Sequence, residues 1–492
     1  MVIFCVVLLE KGDRMRLLLC SCMCVLCVIS LGAMQLQHIT VDSLLSPSYE
    51  CVRKQKTQEA LRHFMGEVHQ GSLWVDACCS GGGYRAMVAT AGFVKGLQEI
   101  GLWDSLCSMS CLSGSTWMYG PFMAKNESIN VFIDQLRTHI TQESFFNNLI
   151  PTLSRLAKKI EYKYAQIREV QIVDLFGGLL ADRLMGELGR TAQTISFCDF
   201  NDSLYIDNYP QPIFTVVYPE VIERCCWFNT SEYHHIEVTP ELTHVAFSDI
   251  FMPTEQLGVY TKRDVVLSEL FGDIMQTLTL GSLLGFCGSA YAANVKEIMN
   301  TLIESLIEKF ESLSRTDGEL QRGIFLRELL ASLKAGRIAP GRVPNFTHTD
   351  DEEICLVDAG VVCNIPLLPL LERKTPLILI CDASDGLGTQ EGRYPQLYKA
   401  EELARRFALP FPSLRPEHAE RIHDCAFVFK RNAAGALDPM LPTIIYFFNT
   451  IDKGTFEFLY TQEEFDGIVN HMYNAVVQSA ESIRQEISEK NS

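Results

Sequence analysis

The sequence has no dense run of lysine or arginine, no CxxC…CxxC or Cys/His spacing that suggests zinc, no internal repeat and no low-complexity tract. Each absence closes a class. With 42 basic against 60 acidic residues the formal charge is −18, so the chain has no general attraction for a nucleic-acid backbone. Contact with lipid then has to rest on apolar surface or on a small local basic patch. The missing ligand spacings exclude a zinc motif, so the 18 cysteines read mostly as free thiols. Cys78, Cys79, Cys355 and Cys381 stand inside apolar runs, where cysteine behaves as a small hydrophobe. Without repeats or biased tracts the chain is not an array of small modules.

What is present is a chain of 492 residues, 47% hydrophobic and 21% charged, enough for a large buried core. Lys11, Arg14 and Arg16 precede an uncharged apolar run over residues 17–34. That outline predicts a signal peptide or membrane anchor over residues 1–35, with Met15 as an alternative start. A leader suggests secretion or anchoring, whereas free core thiols suggest a reducing compartment, so localisation stays open. Asn-X-Ser/Thr triplets at Asn126, Asn201, Asn229 and Asn345 add little, because such triplets recur by chance. The oligomeric state is not readable.

Residues 36–492 read as one elaborated catalytic domain. Residues 73–79 form a short apolar run ending in glycine, the mark of a buried strand. Residues 84–100 carry apolar side chains at helical spacing, and Gly101 follows as a stop signal. A second short strand spans 106–112. Strand, turn, helix, strand, turn, helix predicts the alternation of a parallel α/β sheet. Residues 125–340, with long amphipathic stretches at 143–168 and 295–333, read as a largely helical, cap-like insertion. Sheet-like runs return at 354–358, 376–381, 425–429 and 442–448, and an amphipathic helix over 465–487 closes the chain.

Two turns carry the chemistry. In Ser80-Gly81-Gly82-Gly83-Tyr84-Arg85, three glycines bare their amides, and those of Gly82 and Gly83 are placed to stabilise an oxyanion. The spacing Gly81-x-Gly83-x-x-Ala86 also fits a dinucleotide loop. That loop, however, wants an acidic residue closing the next strand, and here the strand runs into Cys111-Leu112-Ser113-Gly114-Ser115. Small residues at 111, 114 and 115 allow a sharp strand-to-helix turn that exposes the Ser113 hydroxyl as a nucleophile. Arg85 opens the intervening helix and is either a phosphate ligand or a structural arginine. Asp358, in Leu356-Val357-Asp358-Ala359-Gly360, is placed at a strand's C-terminal end, where ligand sites of open α/β sheets lie. Asp382 is the decoy carboxylate. His418 and His423 have the chain order of a Ser-Asp-His triad, but neither stands on a glycine-rich loop, so a Ser–Asp dyad is preferred.

With these residues in hand, the chain resembles the catalytic domain of the cytosolic (group IV) phospholipase A2 family, within the patatin-like serine hydrolases. Residues 80–88 match that family's glycine/arginine motif, and residues 112–117 its nucleophile motif. Val357-Asp358-Ala359-Gly360 with Asn364-Ile365-Pro366, Gly288-Ser289-Ala290, residues 425–430 and Leu441-Pro442-Thr443-Ile444-Ile445 match further segments in order. The resemblance implies a three-layer α/β/α fold with a central, mostly parallel sheet and a helical cap. It implies Ser113 as nucleophile, Asp358 as base, Gly82 and Gly83 as oxyanion donors and Arg85 as phosphate-binding arginine. It implies release of fatty acids from glycerophospholipids or lysophospholipids at a membrane interface, through an acyl-enzyme, with no metal and no nucleotide cofactor. Cys111 and Cys79 stand where the family has glycine, and the calcium-binding C2 module has no room here. A damaged elbow at Cys111 leaves a lipid-binding pseudoenzyme as the alternative. A nucleotide-binding oxidoreductase using Gly81 to Ala86 is a second.

Overall fold

The computed structural model describes residues 47–66, 73–142, 172–185, 195–202, 209–219, 232–258, 279–289, 341–347, 351–384, 394–455 and 457–491. The predicted leader lies outside them, as do the two long amphipathic stretches of the predicted cap, 143–168 and 295–333. No described helix is long and apolar enough to cross a membrane. Residues 53–492 form one compact unit.

After helix α1 (Pro47–Met65), strand β1 (Val75–Cys79) runs through the glycine turn into α2 (Gly83–Glu99). Strand β2 (Leu106–Cys111) then runs through the serine turn into α3 (Gly114–Lys125), followed by α4 (Ile129–Gln142) and α5 (Ile172–Met185). The next strands are β3 (Gln211–Pro219), β4 (Tyr233–Val238), β5 (Leu242–Val245) and β6 (Phe251–Pro253). Helix α6 (Leu280–Cys287), the β7 (Arg342–Pro344) and β8 (Glu353–Cys355) pair, the two-residue β9 (Val357–Asp358) and α7 (Leu368–Glu372) lead to β10 (Leu377–Asp382). Helix α8 (Pro395–Arg406), strands β11 (Glu420–His423), β12 (Ala426–Phe429) and β13 (Thr443–Phe448), and helices α9 (Gln462–Gln478) and α10 (Ala480–Asn491) complete the order.

The main sheet has the order β11-β12-β13-β10-β1-β2-β3-β4-β5-β6, with β9 also paired to β3. Its five central strands, β13, β10, β1, β2 and β3, are mutually parallel. They are buried along nearly their whole length, which is why they read as continuous apolar runs without alternation. Both wings are antiparallel. The fold is therefore the expected α/β class, with a parallel centre.

Residues 125–340 need a correction. Four strands, β3 to β6, come from this span and belong to the main sheet itself. The run Ile213-Phe214-Thr215-Val216-Val217-Tyr218 is rich in β-branched and aromatic residues, and it pairs directly with the strand that leads to Ser113. The helical cap reading took a piece of the sheet with it.

Helix α2 lies against α9 with very close backbones. A Cβ on Gly92 would collide with the Val469 carbonyl oxygen, and one on Gly96 would stand 2.8 Å from Val476 Cβ. Three cysteines stand abreast at the C-terminal ends of neighbouring parallel strands: Cys79 pairs in register with Cys381 on one side and Cys111 on the other. Cys79 and Cys111 are fully buried and Cys381 is 1% exposed. The ten cysteines whose side chains are described are all free thiols.

Candidate active site

The serine turn is under strain. Between β2 and α3, Ser113 takes φ 51° and ψ −121°, a region that costs a non-glycine residue about 1–3 kcal/mol. Neighbours hold it there. The Ser115 hydroxyl accepts from Leu112 N (2.9 Å) and lies 2.8 Å from both the Leu112 and Cys79 carbonyl oxygens. Thr116 Oγ1 donates to the Ser113 carbonyl at 2.6 Å. Gly114 packs on the Gly83 carbonyl so closely that no Cβ fits between them. Ser113 therefore stands at a nucleophile elbow, 6% exposed. Cys111 lies inside the regular strand, paired with Cys79 and Phe214, so the cysteine is absorbed below the elbow and leaves the turn intact.

The glycine turn sits alongside. Gly82 (φ 138°) caps α2 and Gly83 (φ 60°) opens it, so their amides are among those a helix start leaves without an intrahelical acceptor. Neighbouring protein atoms crowd Gly81 and Gly82. A Cβ on Gly82 would lie 2.8 Å from Ala383 O, and one on Gly81 would lie 3.0 Å from Ser113 Cβ. The serine turn and the end of β10 thus account for glycine at these positions by packing alone.

Strand register brings the carboxylate in. Strand β2 follows β3 as far as Cys111 opposite Phe214, and two more residues would set Ser113 opposite Val216. The chain turns off into α3 instead, and Asp358 of β9 pairs with Val216 in its stead. The other edge of β3 is held by β4, so β9 must lie on the β2 side. Leu112, Val217, Val357 and Ala359 seal the junction as a small apolar cluster. Asp358 is 1% exposed. Its Oδ1 accepts from Gly360 N at 2.8 Å, and its own amide donates to Ser289 Oγ at 3.0 Å. Ser289 and Asn364 were met in the sequence only as matching segments; the structure gives each a place beside the carboxylate.

The other candidates are engaged by the protein's own groups. Arg85 is buried; its Nε donates to Ala383 O at 2.7 Å, one terminal nitrogen to the Lys453 carbonyl and the other toward Thr455 Oγ1 at 3.4 Å. A buried guanidinium needs acceptors, and this one finds them in the protein's own loops. Asp382 is engaged by Ser384 N (2.8 Å), Ser384 Oγ (2.5 Å) and Tyr446 Oη (2.6 Å). Burial pushes its carboxyl up, against those hydrogen bonds. His423 belongs to β11, five strands from β2 and so about 24 Å away at ~4.8 Å per strand. Its Nε2 meets Gln478 Oε1 at 2.9 Å, and His418, just before β11, meets Ser413 Oγ at 2.8 Å. Neither histidine reaches Ser113. Among the described residues no group of three or more His, Cys, Asp or Glu side chains is arranged to hold a metal ion.

A strained serine lies against the glycine turn, with a carboxylate in the pairing position it vacates, and residues 75–394 match the family described as the lysophospholipase catalytic domain. The chain belongs to that family. Human cytosolic phospholipase A2 zeta is 26% identical over 460 residues, covering 80% of this chain and 51% of that protein. Mouse cytosolic phospholipase A2 delta is 22% identical over 393 residues, covering 68% and 45%. The chain thus spans about half the length of the curated relatives it matches. The solved structure of human GIVD cytosolic phospholipase A2 superposes with a TM-score of 0.69 at 17% identity, over 92% of this chain and 67% of that one. A second structure of that protein, in complex with methyl gamma-linolenyl fluorophosphonate, gives 0.63 at 18% identity, over 92% and 64%. These likenesses carry the fold of the lysophospholipase catalytic domain.

Proposed function

We propose that this lysophospholipase catalytic domain releases fatty acids from glycerophospholipids or lysophospholipids through Ser113 and Asp358. The observation that carries the reading is the register: Asp358 takes the place on β3 that Ser113 would hold had β2 continued. In the proposed cycle Asp358 takes the Ser113 proton as the hydroxyl attacks the acyl carbonyl, and the amides of Gly82 and Gly83 hold the oxyanion. The lyso-product leaves with the proton, and water then attacks the acyl-enzyme with Asp358 as base. Substrate would come from a membrane or micellar interface. Arg85 enters as a brace for the glycine turn, because its donors are turned to Ala383, Lys453 and Thr455.

The test is Ser113→Ala assayed on phosphatidylcholine and lysophosphatidylcholine. Fatty-acid release is expected to fall to background with an unchanged thermal unfolding curve, and a fluorophosphonate probe is expected to label the wild type alone. Full release by the variant would overturn the proposal. Wild-type protein that neither hydrolyses lipid nor reacts with the probe would instead favour a lipid-binding pseudoenzyme.

A further inference from the structure

Asn364 lies six residues past Asp358, in the segment before α7. It holds both backbone polar groups of one residue in the glycine turn, Gly81. Gly81 N donates to the Asn364 carbonyl at 3.1 Å, and Asn364 Nδ2 donates back to Gly81 O at 2.9 Å. The same Nδ2 donates to Ser384 Oγ at 2.6 Å. Ser384 is committed as a donor to Asp382 Oδ1 at 2.5 Å, so its oxygen can only accept from Asn364. A carbonyl and a committed hydroxyl therefore fix which end of the carboxamide is nitrogen. On the far side, Asn364 N donates to Gln396 Oε1 of α8 at 3.0 Å.

The carboxamide oxygen consequently faces the space between the two turns. A Cβ built on Gly81 would lie 2.5 Å from Asn364 Oδ1 and 3.0 Å from Ser113 Cβ. One built on Gly360 would lie 3.1 Å from both Asn364 Oδ1 and Asp358 Oδ1. One side chain thus touches the turn that carries the oxyanion donors, the turn that carries the base and the loop that ends β10. These three segments are distant in the chain and share no strand.

We propose that Asn364 is a positioning residue, which fixes the Gly82 and Gly83 amides against Ser113 and Asp358 through its paired bonds to Gly81. This rests on the Ser113–Asp358 reading above. Oxyanion donors act only when aimed at the place where charge develops, and a misplacement of about 1 Å costs roughly a hundredfold in rate. Loss of the clamp therefore lowers kcat while leaving lipid binding, and with it KM, largely in place.

The experiment measures kcat, KM, fluorophosphonate labelling rate and Tm for Asn364→Ala, Asn364→Asp, Gln396→Leu and Ser113→Ala on lysophosphatidylcholine micelles. Asn364→Ala is expected to lose about a hundredfold in kcat, with KM within threefold of wild type and labelling slowed in parallel. Asn364→Asp keeps the shape but turns acceptors toward Gly81 O and Ser384 Oγ, and it is expected to be at least as slow. Wild-type kcat in Asn364→Ala, or restored activity in Asn364→Asp, overturns the proposal. Should Asn364→Ala fail to fold, Gln396→Leu decides: a lower kcat at unchanged KM supports the clamp, and a wild-type kcat rejects it. Ser113→Ala separates the two readings. If it stays active the dyad itself is wrong, whereas a dead Ser113→Ala beside a fully active Asn364→Ala removes the clamp alone.

Discussion

Ser113 carries a side chain through a backbone region where glycine would be easier, and the hydrogen bonds of Ser115 and Thr116 offset that strain. In the proposed mechanism Asp358 acts by accepting a proton and not through its shape. Asp358→Asn is expected to lower kcat by about 10²–10⁴-fold, the range for a lost general base, with little change in Tm. His423→Ala, at the far edge of the sheet, is expected to stay within twofold of wild type. Steady-state hydrolysis of lysophosphatidylcholine by the two variants checks both, and a dead His423→Ala beside a mildly impaired Asp358→Asn would restore the triad. The two turns at Ser113 and the glycine run were legible because sharp strand-to-helix turns call for small residues within one local stretch. The partners of Arg85 were not, since Ala383 and Lys453 lie 298 and 368 positions away. A guanidinium looks the same in the chain whether it meets a phosphate or a carbonyl.

Among the elements, the pairing of α2 with α9 leaves the least room. The Val469 carbonyl sits where a Gly92 Cβ would go, so Gly92→Ala is expected to push the helices apart at a cost of about 1–3 kcal/mol, as overpacking does. Urea unfolding should show a lower midpoint at an unchanged slope, whereas Ala91→Gly one residue away removes a methyl without any clash. The periodicity of residues 84–100 announced a helix, but nothing in it announced a partner almost 380 residues downstream. The strands fared similarly. Those of the parallel centre were readable as short apolar runs beside turn signals. Strands β3 to β6 went unread because they lie between the long amphipathic stretches of the span, which set the reading of the whole stretch as helical.

For the whole molecule, a buried charge network braces the antiparallel wing opposite β11. Glu237 of β4 takes a bidentate pair of bonds from Arg373 (2.6 and 2.9 Å) and faces His244 Nδ1 of β5 at 3.2 Å. His244 Nε2 points at the Ser248 carbonyl at 3.0 Å. Each ring nitrogen faces an oxygen acceptor, an arrangement that favours the imidazolium. Burial works against the Glu237 charge, but Arg373 and His244 outweigh it and bring its carboxyl down to about 2. Burial likewise opposes the His244 charge, and Glu237 outweighs it, so that pKa is raised above 6.5. Stability from Glu237 is therefore present above its unfolded value and lost as pH falls toward 2. Stability from His244 is complete below its unfolded value and lost as pH rises through the folded one. His244→Gln is expected to flatten the fall in unfolding free energy between pH 6 and pH 9. Denaturant titrations at those two pH values check it, and an unchanged slope of stability with pH would reject the imidazolium assignment. The row of Cys79, Cys111 and Cys381 gives the centre of the sheet a built-in clock. While the strands stay closed, these sulfurs are hidden from an alkylating reagent, so each one tagged in the native protein counts an excursion in which the floor beneath Ser113 came apart.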